Sequence, residues 1–286
     1  MTKVAVLGNT GMLGHVVERV LARQMELEVE GFGREALELK PRTLNQIGTK
    51  LTMLLGFDTQ WIVNCMGATK PYFNDCADLS IPVYANALFP HQLAKWAELM
   101  PHGPNVIHIT TDCVYDGIIG KYNEQAPHSA QDMYGKSKSL GEPENCMVLR
   151  TSIIGPETGG RSRHFLSWVK SRDKIKEESK GFTNHMWNGV TTLELAYAIS
   201  DIICGYLYEA GMFHVFGSDI SKYEMVATIA DAYGLNINLA TYETPYPIDR
   251  RLRTLKGLND LVTPHTFGEM IKELKEWEDV EYSHTY

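Results

Sequence analysis

The 286-residue chain contains little cysteine and no surplus of basic residues. No two cysteines form a Cys-x-x-Cys pair, so the sequence predicts neither a disulfide framework nor a metal site, and it suits a reducing compartment. The cysteines are Cys65, Cys76, Cys113, Cys146 and Cys204. The net charge of −8 argues against a nucleic-acid partner.

Long apolar runs, internal repeats and low-complexity linkers are also missing. No run approaches the roughly 18 residues that a membrane-spanning helix needs. The chain starts with the pattern of a strand rather than with a basic flank and a cleavage site, so we expect neither a signal peptide nor a membrane partner. These features predict a cytoplasmic protein of one large or two modest domains.

The first feature that is present is a glycine-rich turn between a strand and a helix. The apolar run 3–7 ends at Gly8, and glycine recurs at positions 11 and 14 before a helical pattern begins. Such glycines allow a tight turn and a close approach of pyrophosphate, and the helix N-terminus attracts phosphate. We predict a dinucleotide site, with a turn that binds nothing as the alternative. The predicted contacts are Gly8, Thr10, Gly11, Met12, Leu13 and Gly14.

The residue that follows the second strand, residues 27–32, helps to determine whether NAD or NADP binds. An acidic residue at its end binds the 2′-hydroxyl of NAD, whereas an arginine favours the 2′-phosphate of NADP. Arg34 lies 20 residues beyond Gly14, where this residue is expected, although Glu35 follows it. We favour NADPH over NADH. The alternative is that Arg34 is a solvated surface charge.

Strand and helix patterns alternate over the first half of the chain. A helical pattern at 44–55 precedes an apolar run at 61–65. A second helical pattern at 79–100, with a predicted kink at Pro90, separates that run from the next one at 105–110. The alternation predicts an α/β fold with a doubly wound parallel sheet, whose ligands bind at the carboxyl ends of the strands. These strand ends add Cys65, Met66, Gly67 and Thr110 to the predicted cofactor contacts.

A candidate catalytic set follows the strand at 105–110. Thr111 stands at the strand end, and Tyr134 and Lys138 are four residues apart, so they share one helical face. Tyrosine has an ordinary pKa near 10, and we expect the Lys138 ammonium to lower it toward the range that acid–base catalysis needs. The Thr111 hydroxyl would hold a substrate carbonyl beside Tyr134. A chance Tyr–Lys pair is the alternative, and the upstream glycine turn argues against it.

Over nearly its whole length the chain resembles the extended short-chain dehydrogenase/reductases, and more narrowly the dTDP-4-dehydrorhamnose reductase (RmlD-like) family. Three of the motifs that carry the resemblance are Thr110–Gly117, the Tyr-Gly-x-Ser-Lys helix at Tyr134–Glu142, and the Leu-Arg-Thr-Ser strand at Leu149–Ser152. A Pro-Thr-x-x-x-Leu-Ala segment is altered here, at Val190–Ala196.

The resemblance implies a Rossmann domain and a smaller C-terminal substrate-binding domain. We expect the former over residues 1–155, rejoined by 188–217, and the latter mainly over 156–286. It also implies NAD(P)H-dependent reduction of the 4-keto group of a nucleotide-linked 4-keto-6-deoxy sugar, in deoxysugar and polysaccharide biosynthesis. Thr111, Tyr134 and Lys138 would be the catalytic set, and Tyr134 and Lys138 would also contact the cofactor, Lys138 at the nicotinamide ribose.

Two departures from the family pattern open a second interpretation. Cys113 replaces an aromatic residue and His164 replaces asparagine, and related GDP-fucose synthases use a cysteine and a histidine near these positions for epimerisation. A thiol acts as a base only when its pKa is lowered, for example by an imidazole. One alternative is that Cys113 and His164 make the protein a bifunctional 3,5-epimerase/4-reductase. The other is that Cys113 is a small packing residue and that His164 lies at the surface or contacts the substrate diphosphate. We favour the plain reductase.

A third interpretation is a non-catalytic relative, since this fold also serves as a regulatory subunit of methionine adenosyltransferase. The intact Thr111, Tyr134 and Lys138 argue against it. A 4,6-dehydratase is disfavoured because those enzymes need glutamate where Cys113 stands.

Charged residues provide candidate substrate contacts. Arginine suits a nucleotide diphosphate, although these residues are equally consistent with solvated loop charges. The predicted substrate contacts are Asp112, Arg161, Arg163 and Arg250. We expect a nucleotide-sugar substrate and a monomer or homodimer; the sequence names neither the nucleotide nor the sugar.

Three helices of the C-terminal half carry capping signals. Thr191, Ser221 and Thr266 are each followed by glutamate three residues later. The first helix is expected to run to about Glu209, before Gly211. Residues 278–286 are expected to be a frayed tail.

Overall fold

A computed structural model describes residues 1–75, 77–159, 162–262 and 265–283. The strands are β1 (Thr2–Leu7), β2 (Leu27–Phe32), β3 (Trp61–Asn64), β4 (Asn105–Thr111), β5 (Met147–Thr151), β6 (Ile153–Ile154), β7 (Ser179–Phe182), β8 (His185–Trp187), β9 (Val190–Thr191), β10 (Gly211–His214), β11 (Ile220–Ser221), β12 (Leu239–Tyr242) and β13 (Ile248–Asp249). The helices are α1 (Gly14–Leu21), α2 (Arg34–Leu37), α3 (Leu44–Leu55), α4 (Lys70–Asp75), α5 (Ser80–Val83), α6 (Phe89–Leu99), α7 (Met133–Ser139), α8 (Phe165–Ser171), α9 (Thr192–Cys204), α10 (Lys222–Tyr233), α11 (Leu258–Leu261) and α12 (Phe267–Tyr282).

Six of the described strands form a parallel sheet in the order β10-β5-β4-β3-β1-β2. β1 lies between β2 and β3, with Leu7 opposite both Phe32 and Asn64. The strand order therefore reverses at β1, and the turn that begins at Gly8 emerges at this switch point, where ligands of open α/β sheets bind.

Helices cover both faces of the sheet, because each presents one apolar stripe to it. Val17 of α1 and Ile199 of α9 belong to one buried cluster, while Leu51 of α3 and Leu93 of α6 belong to the other. The predicted α/β Rossmann-like, doubly wound fold is confirmed. The division into domains at residue 155 stays a prediction.

The helical stretch from α5 to α6 is interrupted by a π-helical turn at Tyr84–Leu88. Pro90 follows in the first turn of α6, where its missing N–H costs little. The sequence predicted the break at Pro90, and the structure places the irregular turn just before it. This turn holds the buried side chain of Asn86 inside the fold.

Small sheets accompany the main one in the second half of the chain: β11-β8-β13, β12-β7 and β6-β9. Ser221 and Glu224 form the predicted capping box of α10, and Gly234 ends that helix in the left-handed region. These elements bring β8, β13 and the start of α10 together.

Two predicted helix ends are wrong. α9 ends at Cys204 rather than about Glu209, because the chain turns so that Tyr208 packs edge-on against Trp61, 5.6 Å between ring centroids. α12 continues to Tyr282, because Glu278 is buried and pairs with Lys170 at 2.9 Å. No helix in the described part of the chain has the length and apolar character to cross a membrane.

Candidate active site

The candidate catalytic helix, α7, lies against the turn that follows β4. The Asp132 side chain caps the helix by accepting from the Gly135 N–H at 2.8 Å. A Cβ atom at Gly135 would overlap the carbonyl oxygen of Cys113, so only glycine allows this approach. The close packing brings the Tyr134 phenol within hydrogen-bonding reach of the Thr111 side chain. The structure therefore places Thr111 and Tyr134 together.

The Tyr134 phenol is held in its protonated form. Burial raises its pKa above the ordinary value, and the neighbouring Cys113 acts in the same direction, while the contact with Thr111 opposes them. The predicted lowering of the Tyr134 pKa is therefore wrong for this structure, because desolvation raises it. A protonated phenol can donate a proton to an oxygen that gains charge.

Lys138 lies behind Tyr134 on the same face of α7. Its Nζ donates to the Ile109 carbonyl at 3.0 Å and lies 3.7 Å from the position a Cβ atom would take at Gly67. Burial lowers the pKa of Lys138 to about 8, opposed by Glu142 and Cys65. The ammonium thus connects β4 with the end of β3, next to the glycine turn.

Asn86 is a positioning residue that the sequence analysis missed. Its Nδ2 donates to the Ala68 carbonyl at 2.9 Å and to the Ser137 hydroxyl at 3.0 Å, and its Oδ1 accepts from the Ala68 N–H at 2.8 Å. Asn86 therefore ties the segment after β3 to α7. The available signal was a polar residue in the apolar pattern of the predicted helix at 79–100.

The glycine turn forms a cradle at the end of β1. Gly8 adopts a φ of +88°, and a Cβ atom at Gly14 would overlap the Gly8 carbonyl, so both positions require glycine. Asn9 Oδ1 is buried and has no hydrogen-bond partner among the residues described here. A backbone cradle with an unpaired acceptor fits the phosphates and a ribose hydroxyl of a dinucleotide.

The other predicted contacts of the turn differ in accessibility. Thr10 is exposed, and its carbonyl accepts from the Thr158 hydroxyl at 2.8 Å. Gly11 donates to the Gly8 carbonyl at 2.9 Å. Met12 is half-buried, whereas Leu13 is buried in the core beneath the turn.

Arg34 lies beside the turn, at the start of α2. Its guanidinium stacks over the Tyr72 ring, 4.9 Å from the centroid, and Nη2 donates to the Tyr72 hydroxyl at 2.9 Å. A Cβ atom at the preceding Gly33 would come within 3.3 Å of Thr10. The structure therefore brings the Arg34 backbone to the turn and holds its side chain on an aromatic ring.

The remaining predicted cofactor contacts follow β3 or end β4. Cys65 donates its N–H to the Leu7 carbonyl at 3.0 Å, and burial raises the pKa of its thiol. Met66 is buried next to Gly8. The Thr110 hydroxyl donates to Glu142 at 2.9 Å, so it belongs to a buried network around Arg150.

Among the described residues, no hydrogen bond joins Cys113 to His164. Burial raises the pKa of the Cys113 thiol to about 12, with Asp112 acting in the same direction. The His164 ring lies 3.8 Å from the Glu157 carboxylate, and within the described chain it makes no hydrogen bond to Cys113. Within the described residues the thiol thus has no hydrogen-bonded imidazole, and its pKa is raised, whereas a base needs a lowered one.

Of the predicted substrate contacts, Asp112 and Arg250 lie beside the catalytic set. Asp112 is buried, which raises its pKa, and the charges of Arg250 and Lys222 oppose that shift. Arg250 donates from Nε to the Tyr115 carbonyl at 3.0 Å and from Nη2 to the Asp116 carbonyl at 3.2 Å. Lys222 was not predicted.

The two arginines predicted from the loop after β6 have different outcomes. Arg163 is exposed and pairs with Asp75 at 3.3 Å. Arg161 lies outside the described residues.

The parallel sheet, its switch point and the glycine turn define an α/β protein with a Rossmann-like fold. The family model of the RmlD substrate binding domain matches residues 2–255, so the chain belongs to this family, as its motifs predicted.

Known proteins show the same relationship. The chain is 26% identical over 255 residues to methionine adenosyltransferase 2 subunit beta of Rattus norvegicus, covering 82% of this chain and 72% of that protein. It is 26% identical over 256 residues to spore coat polysaccharide biosynthesis protein SpsK of Bacillus subtilis, covering 85% and 84%. The structure of dTDP-4-dehydrorhamnose reductase from Bacillus anthracis, in complex with NADP, aligns with a TM-score of 0.77 at 20% identity, covering 96% of this chain and 99% of that chain.

Proposed function

We propose that the protein is an NADPH-dependent reductase of the 4-keto group of a nucleotide-linked 4-keto-6-deoxy sugar. The observation that carries this proposal is the protonated Tyr134 phenol beside Thr111, with the Lys138 ammonium behind it. The membership in the RmlD family supports the choice of substrate class.

The chain's residues have distinct parts in this reaction. Thr111 orients the substrate carbonyl toward Tyr134, and Tyr134 donates its proton to the carbonyl oxygen as the alcohol forms. NADPH, when bound, supplies the hydride to carbon 4. Lys138 stabilises the phenolate that remains and binds the nicotinamide ribose, and solvent restores the proton to Tyr134 before the next turnover.

The cofactor preference rests on the glycine cradle and Arg34. Gly8, Gly14 and the unpaired Asn9 Oδ1 fit a dinucleotide, and Arg34 stands beside them with donors suited to a 2′-phosphate. The NADP in the Bacillus anthracis reductase structure supports the same choice.

The test is turnover of a panel of dTDP-, UDP- and GDP-linked 4-keto-6-deoxy sugars, each with NADPH and with NADH. We expect NADPH oxidation with at least one sugar and a lower KM for NADPH than for NADH. An absence of oxidation with every member would reject the proposal.

The raised pKa of the Cys113 thiol does not favour a 3,5-epimerase activity that uses this thiol as a base. A plain reductase working in deuterated water should introduce no enzyme-dependent deuterium at carbons 3 and 5. Label at either carbon that is lost in Cys113→Ser would restore the bifunctional interpretation.

A second candidate function is favoured by the curated relatives, which include methionine adenosyltransferase 2 subunit beta. In that case the chain would bind the catalytic subunit of a methionine adenosyltransferase. Titration of that subunit, monitored by sedimentation, distinguishes the two functions, because complex formation without any sugar turnover would favour the regulatory role.

We also place the protein in the cytoplasm, in deoxysugar and polysaccharide biosynthesis, as a monomer or homodimer. The likeness to SpsK supports the biosynthetic assignment.

A further inference from the structure

Lys222 is the first residue of α10, and its ammonium lies among aromatic rings. Nζ is 4.6 Å from the centroid of the Phe165 ring and 5.4 Å from that of the Trp187 ring. The side chain is half-buried. A cation at a helix N-terminus faces the positive end of the helix dipole, so this placement is unfavourable for the helix itself.

The surroundings of the ammonium, as far as the structure describes them, contain no anion paired with it. Among the residues that the structure describes, Lys222 Nζ makes no hydrogen bond and no ion pair. Burial lowers the pKa of Lys222 to about 8; Asp112 and Cys113 raise it, and Arg250 lowers it further. On the neighbouring strand β8, the pKa of His185 is lowered by burial and then by the charges of Lys222 and Arg250.

Two cations therefore share one buried carboxyl group, that of Asp112, whose own pKa is raised by burial. Half-buried charges are ordinarily paired, since desolvating an unpaired charge is costly. The local surplus is positive, and it indicates an anion that the chain itself does not supply.

The position relative to the catalytic set suggests which anion this is. Lys222 lies close enough to Asp112 and Cys113 for their charges to act on it, and both residues directly follow Thr111, so Lys222 lies near the Tyr134 site. The ring of a 4-keto-6-deoxy sugar is neutral, and the anionic group of such a substrate is the diphosphate at carbon 1. Lysine binds phosphate as a point charge.

We propose that Lys222 binds the diphosphate of the nucleotide-sugar substrate, with Arg250 adding a second positive charge. This inference rests on the proposed function. It makes Lys222 a substrate-binding residue that acts on affinity rather than on proton transfer.

The test is calorimetric titration with UDP, dTDP and GDP, and with the matching nucleosides, in the absence of NADPH. We expect Lys222→Gln to weaken the tightest nucleoside diphosphate about tenfold to a hundredfold and to leave nucleoside binding unchanged. Lys180→Gln is the matched control, because Lys180 is an exposed lysine that also lies over an aromatic ring, 4.4 Å from the Tyr242 centroid. It should change neither affinity.

The pH profile provides a second readout. Wild-type affinity for the diphosphate should fall as pH rises through about 8, because Lys222 then loses its charge. Arg250 keeps its charge in this range, and burial raises the pKa of Cys113 to about 12. Lys138 also has a pKa of about 8, and Lys222→Arg separates the two lysines because it leaves Lys138 unchanged. Lys222→Arg should bind at pH 7 and lose this fall.

Equal diphosphate affinity in the wild type and Lys222→Gln would overturn the inference, as would a wild type that binds none of the three diphosphates. If Lys222→Gln does not fold, Lys222→Arg decides: a wild-type fall near pH 8 that persists in this variant also overturns it. Failure of the proposed function looks different, because it is the absence of NADPH oxidation with every sugar, and the diphosphate titrations remain readable.

Discussion

Two lysines, Lys138 and Lys222, lie near the same site but come from different halves of the chain. Burial lowers the pKa of both Lys138 and Lys222 to about 8. Lys138 is anchored, since its Nζ donates to the Ile109 carbonyl at 3.0 Å. Lys222 Nζ lies over two aromatic rings and forms no ion pair within the part of the chain that the structure describes. We infer that Lys138 serves the proton-transfer step and that Lys222 binds a negatively charged group of the substrate.

The difference separates the catalytic edge, formed by β4 and α7, from the substrate-facing region around β8, β13 and α10. At the catalytic edge, groups are positioned by short-range geometry and backbone contacts. In the substrate-facing region, Lys222 forms no ion pair with any residue that the structure describes. Variants at the catalytic edge should therefore change turnover, and variants in the substrate-facing region should change affinity.

The largest expected effect is that of Tyr134→Phe. Removing the proton donor should lower turnover by roughly two to four orders of magnitude, because the ring and its packing against Phe73 remain while the hydroxyl is lost. Diphosphate affinity should stay at the wild-type value. The control is Tyr197→Phe on the half-exposed side of α9, which should have wild-type turnover. Near-normal reduction by Tyr134→Phe would show that the catalytic assignment is wrong.

Arg34→Ala should come next. The loss of a charge-assisted bond to the 2′-phosphate should weaken NADPH by about 1.5–3 kcal/mol, measured by titration. NADH, which lacks this phosphate, is the control within the same variant and should bind as before. Equal losses for both cofactors would contradict the assignment of Arg34.

Gly135→Ala tests the approach of α7 to the turn after β4. The added methyl group would overlap the Cys113 carbonyl, so we expect the free energy of unfolding in urea to fall by about 1–3 kcal/mol, together with a loss of turnover. Gly268→Ala in α12 is the matched control, since its new methyl group meets open space. That variant should be equally or more stable. Unchanged turnover in Gly135→Ala would show that this contact does not position Tyr134.

The smallest effect concerns pH. Because burial lowers the pKa of Lys138 to about 8, the ammonium is charged below that pH and neutral above it. Turnover at saturating substrate should therefore decline from pH 8 upward, by at most about tenfold per unit. In Lys138→Arg, any remaining turnover should lack this decline. A wild-type profile that is flat between pH 7 and 9.5 would contradict the role of Lys138.

The catalytic edge was the more predictable of the two regions. The four-residue spacing of Tyr134 and Lys138 is local, and a helix converts it directly into a shared face. α3 likewise matches its predicted bounds, Leu44–Leu55, because its apolar period and its Thr43 cap are both encoded within the segment.

The missed features depend on partners that are distant in sequence. Asn86 acquires its role only through Ser137, and Lys222 only through the residues that follow β4. The end of α9 is set by packing of Tyr208 on Trp61, and no local pattern near Glu209 reports that contact. The pKa of Tyr134 also depended on tertiary burial, which outweighed the effect predicted from its neighbour on the helix.

The most direct test of the reductase assignment is isotope transfer from NADPH that carries two deuterium atoms at carbon 4 of the nicotinamide, so that the hydride transferred from either face is labelled. The wild type is incubated with a nucleotide-linked 4-keto-6-deoxy sugar from the panel that supports NADPH oxidation. The product is then examined by mass spectrometry and NMR. The account predicts one deuterium per product molecule, located at carbon 4 of the sugar. Oxidation of the cofactor without label at that carbon, or no reduction of any sugar in the panel, would contradict it.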